Sequence, residues 1–238
     1  MELRKRLLLT GGATGIGRAI AIACAPPASV VVADVNIEDA ERTVEAVCAA
    51  GGTAHFVRCD VTSEADVGAL IRTTEELIGG IDALITAAGV LQAAAVPVEE
   101  IDPADWTRTV EVNVYGSFYC VKHALPALRR SPSGVVILLG SGAGIASGSS
   151  SVPYATSKGG VYGLSKALTP RLAEDGIRLN LLMPGNVDTP LKRRAEEAMN
   201  ASGRPRNQSL ADPAGGAGVV RFLLSDEGDY VRGEGMTR

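Results

Sequence analysis

Two side chains in the second half of this sequence are spaced for proton transfer. Tyr154 and Lys158 lie four residues apart, and on a helix such a pair shares one face, one turn apart. A free phenol titrates near 10, too high for efficient base work at neutral pH. A neighbouring ammonium stabilises the phenolate; lowering the phenol by about 3 pKa units asks for roughly 4 kcal/mol, within reach of close charges in a dry site. Ser141, thirteen positions before Tyr154, ends an apolar strand and can donate to, or accept from, an oxygen whose charge changes. Asn113 falls inside a long helical stretch, 102–129. Asn is a poor interior helix residue, so a local irregularity is expected there. Each feature also has an ordinary reading: a chance tyrosine–lysine spacing, a strand-end hydroxyl, a helix defect or cap.

A second group of residues is suited to binding. Thr10-Gly11-Gly12-Ala13-Thr14-Gly15-Ile16-Gly17 joins a strand to a helix. Glycines at 11, 15 and 17 remove the Cβ atoms that would keep a pyrophosphate from the backbone amides. The helix N-terminus, with Thr14 and Ile16 beside it, then offers free N–H groups and a partial positive charge. A glycine cluster alone could be a plain tight turn; its place between strand and helix strengthens the phosphate reading. Asp34 ends the second strand about 20 residues further on, where a carboxylate accepts bonds from a ribose diol. It would repel a 2′-phosphate, and no Arg or Lys follows at Val35 or Asn36. That favours NAD over NADP, whereas a solvated loop acid is the plainer reading.

The elements that must position these groups alternate along the chain. Apolar, strand-like runs occupy 6–10, 29–33, 53–59, 82–86, 135–139 and 177–183, and helical patterns fill most of the intervals. Alternation of this kind implies right-handed crossovers and a parallel sheet covered on both faces. The expectation is a Rossmann-type, doubly wound α/β fold of about seven strands in a single domain, 1–238. Residues 190–211 are polar and rich in Lys and Arg, and read as a mobile flap after a strand end.

The segment Thr10 to Gly17 matches T-G-x-x-x-G-x-G, and the chain resembles the short-chain dehydrogenase/reductase family in its compact single-domain branch. The likeness runs through almost the whole chain. Asp60-Val61 resembles the family's adenine-contacting pair. Thr86-Ala87-Ala88-Gly89 stands where relatives carry N-N-A-G or N-A-A-G. Asn113, in V-N-V-Y-G, takes the place of the family's asparagine, and Tyr154 with Lys158 forms Y-x-x-x-K, with Ser141 at the usual interval. Pro184-Gly185 with Val187 and Thr189 looks like the segment that holds the nicotinamide. The resemblance implies NAD(H)-dependent hydride transfer between a secondary alcohol and a ketone, with Tyr154 as general acid/base, its phenolate stabilised by Lys158 together with the positive oxidised nicotinamide. It further implies that Lys158 bonds the nicotinamide ribose and that Asn113 holds a water linking Lys158 to solvent. It also implies a small-molecule alcohol or ketone as partner and a dimer or tetramer paired through 102–129 and 152–174.

Three departures stand out. Thr86 and Ala87 replace asparagines, and the Thr hydroxyl is expected to take over some of the sheet bonding. Gly140 stands where a second serine is frequent, which widens the pocket. The tail ends before the V-D-G-G of many relatives, so the last strand is expected to be short. Pocket walls are expected from 91–96, 142–151 and the flap. Ser147 and Ser149 to Ser151 suggest a polar substrate; Lys192, Arg193, Arg194, Arg204 and Arg206 suggest an anionic one. A non-catalytic NAD-binding scaffold or sensor on the same fold remains the alternative, and an epimerase or dehydratase of the longer relatives would need more C-terminal chain.

Composition excludes other classes. With 46% hydrophobic and 21% charged residues, the chain can build a core and is not globally disordered. A net charge of -4 argues against nucleic acid, and no apolar run approaches the roughly 18 residues of a membrane span. Cys24, Cys48, Cys59 and Cys120 lack C-x-x-C spacing, and with two His a metal site is not expected. They read as reduced, mostly buried thiols. Leu7-Leu8-Leu9 is too short for a signal-peptide core, which suggests a cytoplasmic protein.

Overall fold

The computed structural model describes residues 6–145, 149–204, 209–233 and 235–237. Ser147 and Arg206 lie outside them. Seven strands form one sheet: β1 (Arg6–Thr10), β2 (Ser29–Asp34), β3 (Thr53–Arg58), β4 (Ala83–Thr86), β5 (Val135–Leu139), β6 (Arg178–Met183) and β7 (Gly235–Thr237). The order is β3-β2-β1-β4-β5-β6-β7, and every pairing is parallel. The helices are α1 (Gly15–Cys24), α2 (Ile37–Ala49), α3 (Glu64–Ile78), α4 (Pro103–Val110), α5 (Gly116–Arg130), α6 (Val152–Glu174), α7 (Pro190–Ala201) and α8 (Pro213–Leu224).

The two-residue period of the strands splits the apolar side chains between two cores. Leu7 and Leu9 of β1 enter one core with Ile20, Val30 and Val220, under α1, α2 and α8. Leu8 enters the other with Val31, Leu70, Leu128 and Val161, under α3, α5 and α6. All five residues of β5 are buried, as a sheet covered on both faces requires. The helices start where their caps dictate. Ser63 accepts from Asp66 N at 3.2 Å and donates to its carboxylate at 2.9 Å, and Asn36 accepts from Asp39 N at 3.2 Å.

The stretch anticipated as one helix over 102–129 is interrupted at Asn113. Glu111–Tyr115 is a π-helical turn between α4 and α5, an insertion of the kind that re-aims a side chain inward. The polar region anticipated as a flap is helical through α7. Its return is tied by a parallel bridge between Val187 and Ala211, with Asp188 N donating to Ala211 O at 2.9 Å. The last strand is three residues long. Thr86 departs from expectation: its Oγ1 is buried without a hydrogen-bond partner and takes over no sheet bonding.

Candidate active site

Strand order reverses between β1 and β4, which leaves a crevice at the carboxyl ends of the strands, where doubly wound sheets bind ligands. A cavity of about 350 Å³ lies there. Its walls include Gly11, Thr14, Gly15, Ile16 and Gly17 of the first turn, Asp34, Asp60 and Val61, Ala88 and Gly89, and Pro184, Gly185, Val187 and Thr189. Ser141, Tyr154 and Lys158 line it as well. Residues widely separated in sequence thus meet at one place.

The glycine turn is a cradle that side chains would fill. A Cβ on Gly17 would lie 2.0 Å from Gly11 O, and one on Gly11, whose φ is +70°, would lie 2.3 Å from Ala88 N. Only bare backbone permits this approach, so the turn fits a ligand seated against amides. Asp34 is fastened beside it: Oδ2 accepts from Ala13 N and Oδ1 from Asn36 N, both at 3.0 Å. Asp60 accepts from Thr62 N at 3.0 Å and Thr62 Oγ1 at 2.8 Å. Partial burial pushes the Asp60 carboxyl up, but the Thr62 bonds and the Arg108 guanidinium, 3.6 Å away, together hold it below its usual range. Arg108 is a cavity residue that the sequence reading did not single out.

The candidate reacting groups come from β5's exit and the first turns of α6. Ser141 lies two residues past β5 and opens a short 3-10 turn, Gly142–Gly144. This turn rests directly on the backbone of α6: a Cβ on Gly144 would stand 2.5 Å from the Lys158 carbonyl carbon. That close approach brings Ser141 to Tyr154. Ser151 caps α6, accepting from Tyr154 N at 3.1 Å and donating to Gln92 O at 2.5 Å, which ties the helix start to the loop after β4.

Lys158 Nζ lies 5.7 Å from the centre of the Tyr154 ring and donates to Leu139 O at 2.7 Å. Burial lowers its pKa to about 8. Burial pushes the Tyr154 pKa up, and the hydrogen bond with Ser141 pulls it back.

Asn113 is fully buried behind the cavity rather than in its wall. Its Oδ1 accepts from Val90 N at 2.9 Å, and its Nδ2 donates to Val90 O at 3.0 Å and Ser157 Oγ at 2.8 Å. The side-chain amide pairs with Val90 as a neighbouring strand would. Ser157 Oγ in turn donates to Tyr154 O at 2.8 Å. Asn113 therefore links the loop after β4 to the helix that carries Tyr154 and Lys158.

On the substrate side, Leu91, Ala143, Ser149 and Ser150 line the cavity, as do Leu191, Lys192, Ala195, Glu196 and Met199 of α7. Of the anticipated stretch 91–96, only Leu91 does so. Arg193 and Arg194 are exposed and outside the wall, and Arg193 pairs with Asp188 at 2.6 Å. Of the basic cluster, Lys192 lines the cavity, and Arg193 and Arg194 form a solvated face.

The matching family model is that of the short chain dehydrogenases, over residues 5–200. The chain belongs to the short-chain dehydrogenase family. It is 34% identical over 237 residues to the 2,5-dichloro-2,5-cyclohexadiene-1,4-diol dehydrogenase of Sphingobium indicum, covering 96% of this chain and 93% of the relative. It is 33% identical over 230 residues to the cyclohexanol dehydrogenase of an Acinetobacter species, covering 96% and 91%. Among solved structures, a short-chain type dehydrogenase/reductase from Mycobacterium marinum superposes with a TM-score of 0.91 at 28% identity, over 99% of this chain and 94% of that one. Short-chain dehydrogenases use a nicotinamide cofactor, and the glycine cradle with Asp34 beside it suits one. Among the described residues no helix of this short-chain dehydrogenase is long and apolar enough to cross a membrane, and no group of three or more potential metal ligands occurs. Cys24, Cys59 and Cys120 are buried free thiols and Cys48 is an exposed one.

Proposed function

We propose that this protein is an NAD-dependent dehydrogenase that interconverts cyclic secondary alcohols and their ketones. The observation that carries the reading is the convergence of Ser141, Tyr154 and Lys158 on the cavity walled by the Gly11–Gly17 turn and Asp34. The bound nicotinamide supplies the hydride acceptor in oxidation and the hydride donor in reduction. The chain's part is to hold the substrate oxygen and move its proton. Ser141 hydrogen-bonds that oxygen and the Tyr154 phenol together, fixing both. Tyr154 takes the hydroxyl proton as the carbonyl forms, and returns it in the reverse direction. Lys158, with its pKa of about 8, is mostly charged at neutral pH. Its ammonium favours the phenolate against the burial that opposes it. Asn113 acts from behind, holding Val90 and Ser157, and through Ser157 the backbone of Tyr154.

Asp34 supports NAD: one carboxylate already held by Ala13 and Asn36 amides is rigidly placed for a ribose diol and repels a 2′-phosphate. Asp60 and Val61 flank the adenine end, and Pro184, Gly185, Val187 and Thr189 the nicotinamide end. The apolar wall of Leu91, Leu191, Ala195 and Met199 suits a hydrocarbon ring, and the relatives named above act on ring alcohols. Trp106, Tyr115 and Phe118 are exposed on the α4–α5 face, which supports a homo-oligomer, dimer or tetramer, paired through that face. The test is incubation with NAD or NADP and a panel of cyclic alcohols, following the absorbance of reduced nicotinamide. Turnover with NAD and little with NADP is expected. Tight NAD binding with no turnover of any ring alcohol would instead indicate a scaffold or sensor.

A further inference from the structure

Glu196 stands out in the cavity wall because it is acidic, is held by a helix and has a buried Oε1 without a hydrogen bond. It projects from the second turn of α7 between Ala195 and Met199, both buried, which fix the face of the helix that meets the cavity. Its Oε1 is buried and makes no hydrogen bond; among the described residues it forms an ion pair with Lys192 Nζ, one turn earlier, at 3.5 Å. A quarter of the Glu196 side chain stays accessible, 25%, and the residue lines the cavity. A carboxylate is an acceptor only, with room for about four bonds, and in a partly dry wall an unused acceptor gains when a ligand hydroxyl reaches it.

We propose that Glu196 selects substrates bearing a second hydroxyl on the ring, accepting a hydrogen bond from the hydroxyl that is not oxidised. The proposal rests on the dehydrogenase reading and deepens it. The polar residues at this end are consistent with a neutral diol. Lys192 is matched by Glu196, so the pair adds no net charge, and an anionic substituent would meet the Glu196 carboxylate as well as the lysine. Arg193, the other candidate for an anion, is held outside the cavity by Asp188. Leu191, Ala195 and Met199 line the same wall with apolar surface, so a ring carrying only one hydroxyl adds no hydrogen bond to Glu196. A site built around one hydroxyl discriminates strongly against analogues that lack it.

The test measures Kd by calorimetry on the full protein saturated with NADH, for cyclohexanol, cyclohexane-1,4-diol and 4-hydroxycyclohexanecarboxylate. Wild type, Glu196→Gln and Glu196→Leu are compared, and saturable NADH binding shows that each variant is folded. In wild type the diol is expected to bind about 10- to 100-fold more tightly than cyclohexanol, as for a hydrogen bond to a charged acceptor. Glu196→Leu should bring the ratio to about 1, and Glu196→Gln, which keeps a neutral acceptor of the same length, should fall between. A wild-type ratio near 1, a ratio untouched by Glu196→Leu, or tighter binding of the carboxylate than of the diol would overturn the proposal. Turnover of the same alcohols is read separately with NAD. Failure of all three to react would count against the dehydrogenase reading, while the binding ratio still decides the role of Glu196.

Discussion

Replacing Lys158 by Met separates what the buried ammonium costs from what it does. The residue is 6% exposed, and burial lowers its pKa from the ordinary 10.5 to about 8. The folded state therefore binds this proton less well than the unfolded chain. Below pH 8 both states are protonated and the full cost of charging the buried amine is present, about 3 kcal/mol from the shift. Between 8 and 10.5 the unfolded chain holds more protons than the native protein, so stability rises with pH and the cost disappears. Met of similar length has no such term. Its own penalty, the Leu139 carbonyl left without the 2.7 Å bond from Nζ, does not depend on pH and cancels in a comparison across pH. Wild type should therefore gain about 2 kcal/mol on Lys158→Met between pH 7 and pH 9.5. Urea unfolding of both proteins at several pH values, at one protein concentration, measures it. A difference that stays flat over that range would show that the amine is not desolvated and would refute the reasoning.

Gly17→Ala places a Cβ 2.0 Å from Gly11 O, so the turn must open; NAD affinity by calorimetry should fall at least about tenfold, and stability by more than about 2 kcal/mol. An unchanged Kd would mean that the turn is no phosphate cradle. Asn113→Ala strips Val90 of both its backbone partners and Ser157 of its donor; denaturant unfolding should show a loss of about 3 kcal/mol, and a loss under about 1 kcal/mol would place Asn113 outside the support of the site.

The strands and their order of use were legible because a parallel sheet buried on both faces writes itself as continuous apolar runs. Val135–Leu139 and Val152–Glu174 appear in the structure with the bounds that the sequence suggests. The glycine turn, Asp34, Ser141, Tyr154 and Lys158 were legible because their spacing is local, or set by one strand–helix unit. Helix α8 was not. Gly215, Gly216 and Gly218 give it poor intrinsic propensity; it forms because Asp212 caps it, accepting from Ala214 N at 2.8 Å, and because Ala217, Val220 and Leu223 pack into the core beside α1. The roles of Gly144 and Glu196 depend on contacts between distant segments, and no periodicity encodes them. Charge in a sequence does not say which face of a helix carries it: Lys192 lines the cavity, whereas Arg193 and Arg194 are exposed outside it. The desolvation that pushes the Tyr154 phenol up is a property of the packed site, and the tyrosine–lysine spacing does not show it.

The central claim is that Tyr154 transfers the substrate proton in a nicotinamide site. Tyr154→Phe removes one oxygen and keeps the ring in place. Formation of reduced nicotinamide from NAD and a ring alcohol, measured beside NAD binding by calorimetry, tests the claim most directly. The account predicts turnover by wild type, a loss of about 10²- to 10⁴-fold or more in the variant, and the same NAD affinity in both. A variant that turns over as fast as wild type would contradict it.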